Sequence, residues 1–203
     1  MIVIIDYGMG NLGSVKNMLK RIGYPAIISS KPEDILNATK LILPGVGAFG
    51  NGMKNIENLG ILKVINKKVL EEKTPILGIC LGMQLMAMHS EEGNANGLGW
   101  FSGNVIKFKV SDKLKYKIPH IGWNHISVEK PSKLMNDMKI EDEFYFVHAY
   151  HYQTEVEDEI LNKTRYEYDF VSAIQKNNIF AVQYHPEKSH DAGEKLFRNF
   201  IQL

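Results

Sequence analysis

Short apolar runs alternate with segments of helical spacing through the first half of the chain. Ile2–Asp6 is strand-like, and in the following Asn11–Ile22 the residues Val15, Met18, Leu19 and Ile22 mark one helical face. Ala26–Ser30, a helix near Pro32–Ala38, the strand-like Lys40–Leu43, a helical stretch about Ile61–Glu72 and the apolar Pro75–Ile79 continue the alternation. That order predicts a parallel sheet covered by helices on both faces. The second half is richer in strands: Asn104–Val110, Ile126–Glu129, Phe144–Tyr152, Tyr168–Gln175 and Ile179–Tyr184, with a hairpin turn at Asn177-Asn178 between the last two. An amphipathic helix over residues 190–203 closes the chain. No repeat, low-complexity stretch or linker interrupts it, so a single domain over residues 1–203 is expected.

Composition narrows the class without naming it. Hydrophobic residues make up 44% and the formal net charge is +1, which gives no sign of a nucleic-acid surface or a disordered tail. One cysteine excludes an internal disulfide framework. The chain opens directly on IVIID, without the charged-then-apolar layout of a signal peptide. No apolar run approaches the roughly 20 residues that a membrane span needs. The expectation is a cytoplasmic protein with neither a membrane nor a nucleic-acid partner.

The single cysteine sits where a nucleophile would. Between the strand ending at Ile79 and a helix predicted over Met83–His89, Gly78-Ile79-Cys80-Leu81-Gly82 forms a Gly-x-Cys-x-Gly turn, the sulfur counterpart of a nucleophile elbow. A strand that reverses directly into a helix crowds the turn residue, so its neighbours must be small. The positive end of the following helix favours thiolate over thiol. A lone free cysteine is otherwise a small buried hydrophobe, and what separates the two readings is a base.

His185 is the candidate base. It follows the strand-like IFAVQY, and Pro186 biases it toward extended backbone. In extended chain, residues i and i+2 share a side, so Glu187 can orient the imidazole as the third member of a Cys–His–acid relay. For the oxyanion, the Leu81 amide is one donor. A second is expected from the turn Pro44-Gly45-Val46-Gly47, where the glycines let a peptide rotate its N–H toward substrate. An ordinary tight turn after a strand reads the same way.

PGVGAFG, GICLGMQ, IPHIGWN, YFVHAY and HPEKS, met along the chain in the family's order, together resemble a class I glutamine amidotransferase, and the resemblance runs from the first strand to the last helix. More narrowly, the chain is similar to the glutaminase subunits of imidazole glycerol phosphate synthase. The resemblance implies the three-layer fold of that family, with a central mixed, mainly parallel sheet flanked by helices, and no cofactor or metal. It implies that Cys80 attacks L-glutamine, His185 moves the proton and Glu187 orients His185. Gln84 would contact the bound glutamine, Glu92 its α-ammonium, and the backbone of His148, Ala149 and Tyr150 its α-carboxylate region. Ala149 stands where the family usually has Ser. Gln84 and Glu92 read equally as solvated residues, and EFYFVHAYHYQ as a plain aromatic strand.

The implied partner is a (β/α)8 cyclase subunit, joined as a heterodimer, which uses the ammonia to make imidazole glycerol phosphate and an aminoimidazole carboxamide ribotide. Asn11, His120, Trp123, Asn124, Tyr145 and Lys188 match positions near that junction, with Trp123 the candidate anchor. A related branch supplies ammonia for acetamidino-sugars of bacterial surface glycans. Gly13, GLGWFSG and SHDAG look somewhat like that branch. A reading of another class is a dinucleotide-binding module: Gly8-Met9-Gly10-Asn11-Leu12-Gly13 matches G-x-G-x-x-G after the first strand, with Glu33 and Asp34 about twenty residues on. Gly45–Gly50 matches the same pattern, which shows how permissive it is.

Overall fold

The computed structural model describes the whole chain, Met1–Leu203. Its first half follows the predicted alternation: β1 (Ile2–Ile5), α1 (Leu12–Arg21), β2 (Ala26–Ser29), α2 (Pro32–Leu36), β3 (Lys40–Gly45), α3 (Phe49–Asn58), α4 (Leu62–Asn66) with a π-helical continuation over Lys67–Glu71, then β4 (Ile76–Cys80) and α5 (Leu81–Leu85). Strands dominate afterwards: β5 (His89–Ser90), β6 (Ala95–Asn96), β7 (Asn104–Lys107), β8 (His120–His125), β9 (Ser127–Val128), β10 (Glu143–His148), β11 (Tyr150–Gln153), β12 (Ile160–Arg165), β13 (Asp169–Lys176) and β14 (Ile179–Val182), before α6 (His190–Gln202).

The main sheet runs β2-β1-β3-β4-β14-β13-β11-β7-β5-β6, with β12 and β9 branching from β13. Its first five strands are parallel. Parallel strands covered on both faces lose solvent from both, which is why IVII, ILGIC and IFAV are continuous apolar runs, buried at every position. Val3 and Ile5 join one apolar cluster and Ile2 and Ile4 the other, so period-two alternation divides one strand between two cores. The final helix seals the second core through Leu196, Phe197 and Phe200.

Four departures from the sequence expectation have physical causes. Helix α3 is not among the expected elements; it carries two glycines, Gly50 and Gly52, which lower helix propensity. Gly52 instead lets α3 approach α5, where a Cβ would already stand 3.1 Å from Leu85, while Phe49, Met53 and Ile56 supply the buried face. Phe144–Tyr152 is not one strand. It breaks at Ala149 into β10, which pairs only with β8 in a separate two-stranded sheet, and β11, which enters the main sheet. Strand β12 was missed because it buries polar residues: Asn162 and Thr164 face inward, and the Thr164 hydroxyl donates to Ser172 Oγ at 2.8 Å. Strand β8, interrupted by Gly122, was likewise unpredicted; the run expected over Ile126–Glu129 reduces to the two residues of β9.

Candidate active site

Cys80 ends β4 with φ 53° and ψ −108°, a conformation L-residues rarely adopt, and α5 begins at the next residue. Such a backbone costs about 1–3 kcal/mol and persists only where its surroundings fix it. Gly82 fixes it. A Cβ there would lie 1.7 Å from the Leu43 carbonyl oxygen, so only glycine lets α5 press onto β3 immediately after the cysteine. The helix starts earlier than the predicted Met83–His89 and stops sooner. The amides of Leu98, Gly99, Trp100 and Phe101 take the carbonyls of Leu85, Met86 and Ala87, which are then lost to a longer helix.

Strand β14 lies parallel to β4, with Val182 opposite Ile79, so both carboxyl ends open on the same edge. His185 lies three residues beyond β14 and is pinned there by its amide, which donates to the Tyr145 carbonyl at 2.8 Å. His185 Nδ1 and Glu187 Oε1 are 2.7 Å apart, and the two side chains are 1% and 2% exposed. Burial opposes the imidazolium, but the neighbouring Cys80 and Glu187 outweigh it and raise the His185 pKa to about 10. Nε2 makes no formed hydrogen bond to the sulfur or to any other atom. The proton-carrying nitrogen on the cysteine's side is therefore unspent.

Gln183, absent from the sequence expectation, donates through Nε2 to Cys80 Sγ at 3.6 Å and accepts at Oε1 from Gln84 Nε2 at 3.0 Å. The signal was available: Gln183 precedes His185 by two in an extended run and shares its side. Gln84 also donates to the Tyr150 carbonyl at 3.0 Å, tying α5 to the β10–β11 junction. At that junction His148 is buried with Nδ1 2.7 Å from the Tyr150 carbonyl, and the Ala149 carbonyl accepts from the Phe108 amide.

The turn after β3 completes this edge. Gly45 is the register partner of Cys80, Val46 is exposed, and Gly47 has φ 111°. The Val46 amide donates to no other group in the chain, and the Leu81 amide opens α5 beside it. Gly45 cannot carry a side chain, since a Cβ would stand 2.1 Å from the Tyr7 hydroxyl and 2.9 Å from Leu81 Cβ. Glu92 reaches the same neighbourhood by another use: its Oε2 accepts from the Phe49 amide at 2.8 Å, at the start of α3. Cys80, His185, Glu187, Gly45–Gly47, Leu81, Gln84 and His148–Tyr150 are thus brought together, and Glu92 borders them across α3.

The residues expected at a partner junction divide. Ile121 and Trp123 point outward from β8, Trp123 being 44% exposed. Its indole stacks on His190 (5.2 Å, 5°) and meets Tyr145 edge-on at 5.9 Å, while Lys188 Nζ lies 5.4 Å over the Tyr145 ring. Strand alternation sends His120 and Asn124 to the opposite side. There His120 is 3% exposed against Phe146 and Tyr166, and Asn124 donates to the Arg165 carbonyl at 2.8 Å. These two do not share the surface of Trp123, contrary to expectation. Burial lowers the pKa of His120 to about 4 and of His148 to about 3, so both are neutral near pH 7. Asn11 is half-buried at the start of α1. His190, also unforeseen, owes its place under Trp123 to a turn at φ 43°.

The glycine run 8–13 has no phosphate-binding character. A Cβ at Gly10 would stand 3.2 Å from the Pro44 carbonyl, so the loop is packed against the turn after β3. Asp34, the acid a dinucleotide ribose would need, accepts from Ser29 Oγ at 2.6 Å.

Comparison with known proteins agrees with this geometry. The model of the family "Glutamine amidotransferase class-I" matches residues 3–203. The chain is 54% identical over 202 residues to imidazole glycerol phosphate synthase subunit HisH 2 of Methanococcus maripaludis, covering 100% of this chain and 99% of that one. It is 43% identical over 203 residues to the subunit HisH 2 of Pseudomonas aeruginosa, with both chains covered completely. Among solved structures, a crystal structure of a glutamine amidotransferase superposes with a TM-score of 0.76 at 22% identity, covering 100% of this chain and 98% of that one.

The raised His185 pKa has a defined pH signature. Stability from its interactions is complete below the unfolded histidine value near 6.5 and is lost as pH rises through about 10. In Glu187→Gln the NMR titration midpoint of His185 is expected to fall, and the stability gap between wild type and variant, read from urea midpoints, to stay constant up to that lowered midpoint and to shrink from there to about pH 10. A gap independent of pH contradicts the assignment.

Proposed function

The chain belongs to the class-I glutamine amidotransferases and, within them, to the HisH subunits of imidazole glycerol phosphate synthase. From that premise we propose the following division of labour: this domain hydrolyses L-glutamine to glutamate and passes the ammonia to a synthase subunit in histidine biosynthesis. The observation that carries the reading is the cysteine elbow of β4 aligned, through parallel pairing with β14, beside a buried His185–Glu187 pair.

The chemistry follows from that placement. Cys80 Sγ bonds to the glutamine Cδ, and the carbonyl electron pair moves onto oxygen. The Val46 and Leu81 amides, with Gly45 and Gly47 shaping the turn, stabilise that oxyanion. On collapse the C–N bond breaks, and His185, protonated on account of its raised pKa, gives its proton to the nitrogen so that ammonia leaves. Water then yields a proton to His185 and attacks the thioester, and glutamate departs as the C–S bond breaks. Glu187 holds the ring throughout. Gln84 and the backbone of His148–Tyr150 bind the amino-acid end of glutamine. Glu92 takes the α-ammonium through the carboxylate oxygen that the Phe49 amide leaves free.

HisH proteins are named as subunits, which implies a partner. We assign its docking face to the exposed Trp123, His190 and Lys188 with the half-buried Tyr145, assign Asn11 to it as well, and assign its fold to a (β/α)8 barrel. Exposed tryptophan packed with tyrosine in this way is typical of interface anchors. No helix is long and apolar enough to cross a membrane, and the cytoplasm is the compartment this pathway requires.

A second reading keeps the chemistry and changes the acceptor. Both relatives carry the number 2 in their names, which marks genomes with more than one such subunit, whereas one histidine pathway needs one. The copy described here then supplies ammonia for an acetamidino-sugar. Complementation separates the two: with a cognate barrel subunit, the chain is expected to restore growth of a histidine auxotroph lacking HisH, and failure to do so transfers the assignment to the sugar pathway.

Cys80→Ala is expected to abolish glutamine-dependent product formation by the assembled enzyme while synthesis from added ammonia survives. Loss of both activities, or of neither, refutes the division of labour. Trp123→Ala is expected to weaken subunit association by about 2 kcal/mol or more, measured by titration calorimetry. Unchanged affinity removes Trp123 from the interface.

A further inference from the structure

Gln183 is completely buried, yet the reaction described above gives it no part. It lies one residue past β14, and its backbone amide donates to the Ser172 carbonyl at 2.8 Å, which holds it against β13. Its side chain makes two contacts. Oε1 accepts from Gln84 Nε2 at 3.0 Å, and Nε2 donates to Cys80 Sγ at 3.6 Å, the longer separation reflecting the larger sulfur atom. Neighbouring groups settle which end of the amide faces the sulfur. Gln84 Nε2 also donates to the Tyr150 carbonyl at 3.0 Å, and a carbonyl can only accept. The nitrogen of Gln84 is thereby placed, so the atom of Gln183 that meets it must be oxygen. The NH2 group is left pointing at Cys80.

A side-chain amide taken fully out of water loses its hydrogen bonds there and must replace them inside. Methionine would fill a similar volume without that cost. Of the two polar partners Gln183 has found, Gln84 fixes its orientation and the other is the reacting atom itself. We propose that Gln183 is a catalytic hydrogen-bond donor: its Nε2–H stabilises the Cys80 sulfur in its anionic state, and Gln84 aims that donor. A hydrogen bond given to an ionised acceptor favours the ionised form and is about twice as strong as one between neutral groups. Unlike His185, an amide neither gains nor loses a proton during turnover, so its contribution is constant. The sulfur carries charge twice in the reaction, before it attacks glutamine and again when the C–S bond of the thioester breaks. Gln183 is in place for both.

The proposal rests on Cys80 being the nucleophile of the glutaminase, and its first test does not need glutamine. The rate of Cys80 alkylation by iodoacetamide is followed against pH in the full chain as wild type, Gln183→Met and Thr164→Val. Gln183→Met keeps the bulk and removes the donor. Thr164→Val removes the buried hydrogen bond to Ser172, whose carbonyl holds the Gln183 amide, and so loosens the same strands without touching the sulfur. Loss of a hydrogen bond to the charged sulfur is expected to raise the pH of half-maximal alkylation in Gln183→Met by about one unit. Thr164→Val is expected to match the wild-type profile while its Tm falls. Gln183→Met is also expected to lower kcat for glutamine about tenfold at similar KM. If Gln183→Met does not fold, Gln183→Glu carries the test: it keeps the oxygen that faces Gln84, sets a second oxygen against the sulfur, and is expected to shift the profile in the same direction. An unchanged alkylation profile on loss of the donor overturns the proposal, as does an equal shift in Thr164→Val, which marks a general loosening of the core. A wild-type chain that shows the Gln183-dependent shift but never hydrolyses glutamine, alone or assembled, refutes the glutaminase and leaves the hydrogen bond standing.

Discussion

Parallel pairing of β4 with β14 is the constraint on which the site depends. The two strands are separated by about a hundred residues of chain, yet Ile76–Ile79 lie opposite Ile179–Val182 in register. Because parallel strands end on the same side, the elbow after one and the histidine after the other emerge together. A one-residue slip would turn every side chain of β14 to the other face, taking Gln183 and His185 away from the sulfur. Both strands are apolar throughout and buried on both faces, so two cores resist any such slip.

Around that pairing the chain accepts local expense to hold one atom. The Cys80 backbone is strained, Gly82 and Gly45 surrender side chains to close contacts, and polar atoms of Tyr7, His185 and Glu187 are left unpartnered in the interior. Orphaned polar groups and left-handed non-glycine residues are uncommon in well-packed interiors. The left-handed backbone of Cys80 and the unpartnered Nε2 of His185 lie on the same edge of the sheet. The antiparallel half performs a different task. It carries β10 and β8 out of the main sheet and displays Trp123 and Tyr145 beside Lys188, while the adjacent amide of His185 is held by the carbonyl of Tyr145. The proposed docking face and the proposed base thus meet at one backbone hydrogen bond, His185 to Tyr145.

The sequence by itself determined the parallel half, because strands buried on both faces must be continuously apolar and helices between them must repeat at 3.6 residues; those patterns are local. It also determined the elbow, where Gly-x-Cys-x-Gly leaves few other conformations, and the His185–Glu187 pair, where spacing two in extended chain is enough. Tertiary structure decided what depends on distant neighbours. Helix α3 became helical despite two glycines because α5 needed close approach; α5 ended early because the 98–101 loop took its carbonyls; β12 formed around polar residues that bond each other. His120 was drawn inside while Trp123 stayed out, since pairing with β10 fixed which face of β8 met the core. Gln183 carries no motif. Its hydrogen bond to Cys80 is a matter of which strand lies beside which, and that is fixed only when the sheet is assembled.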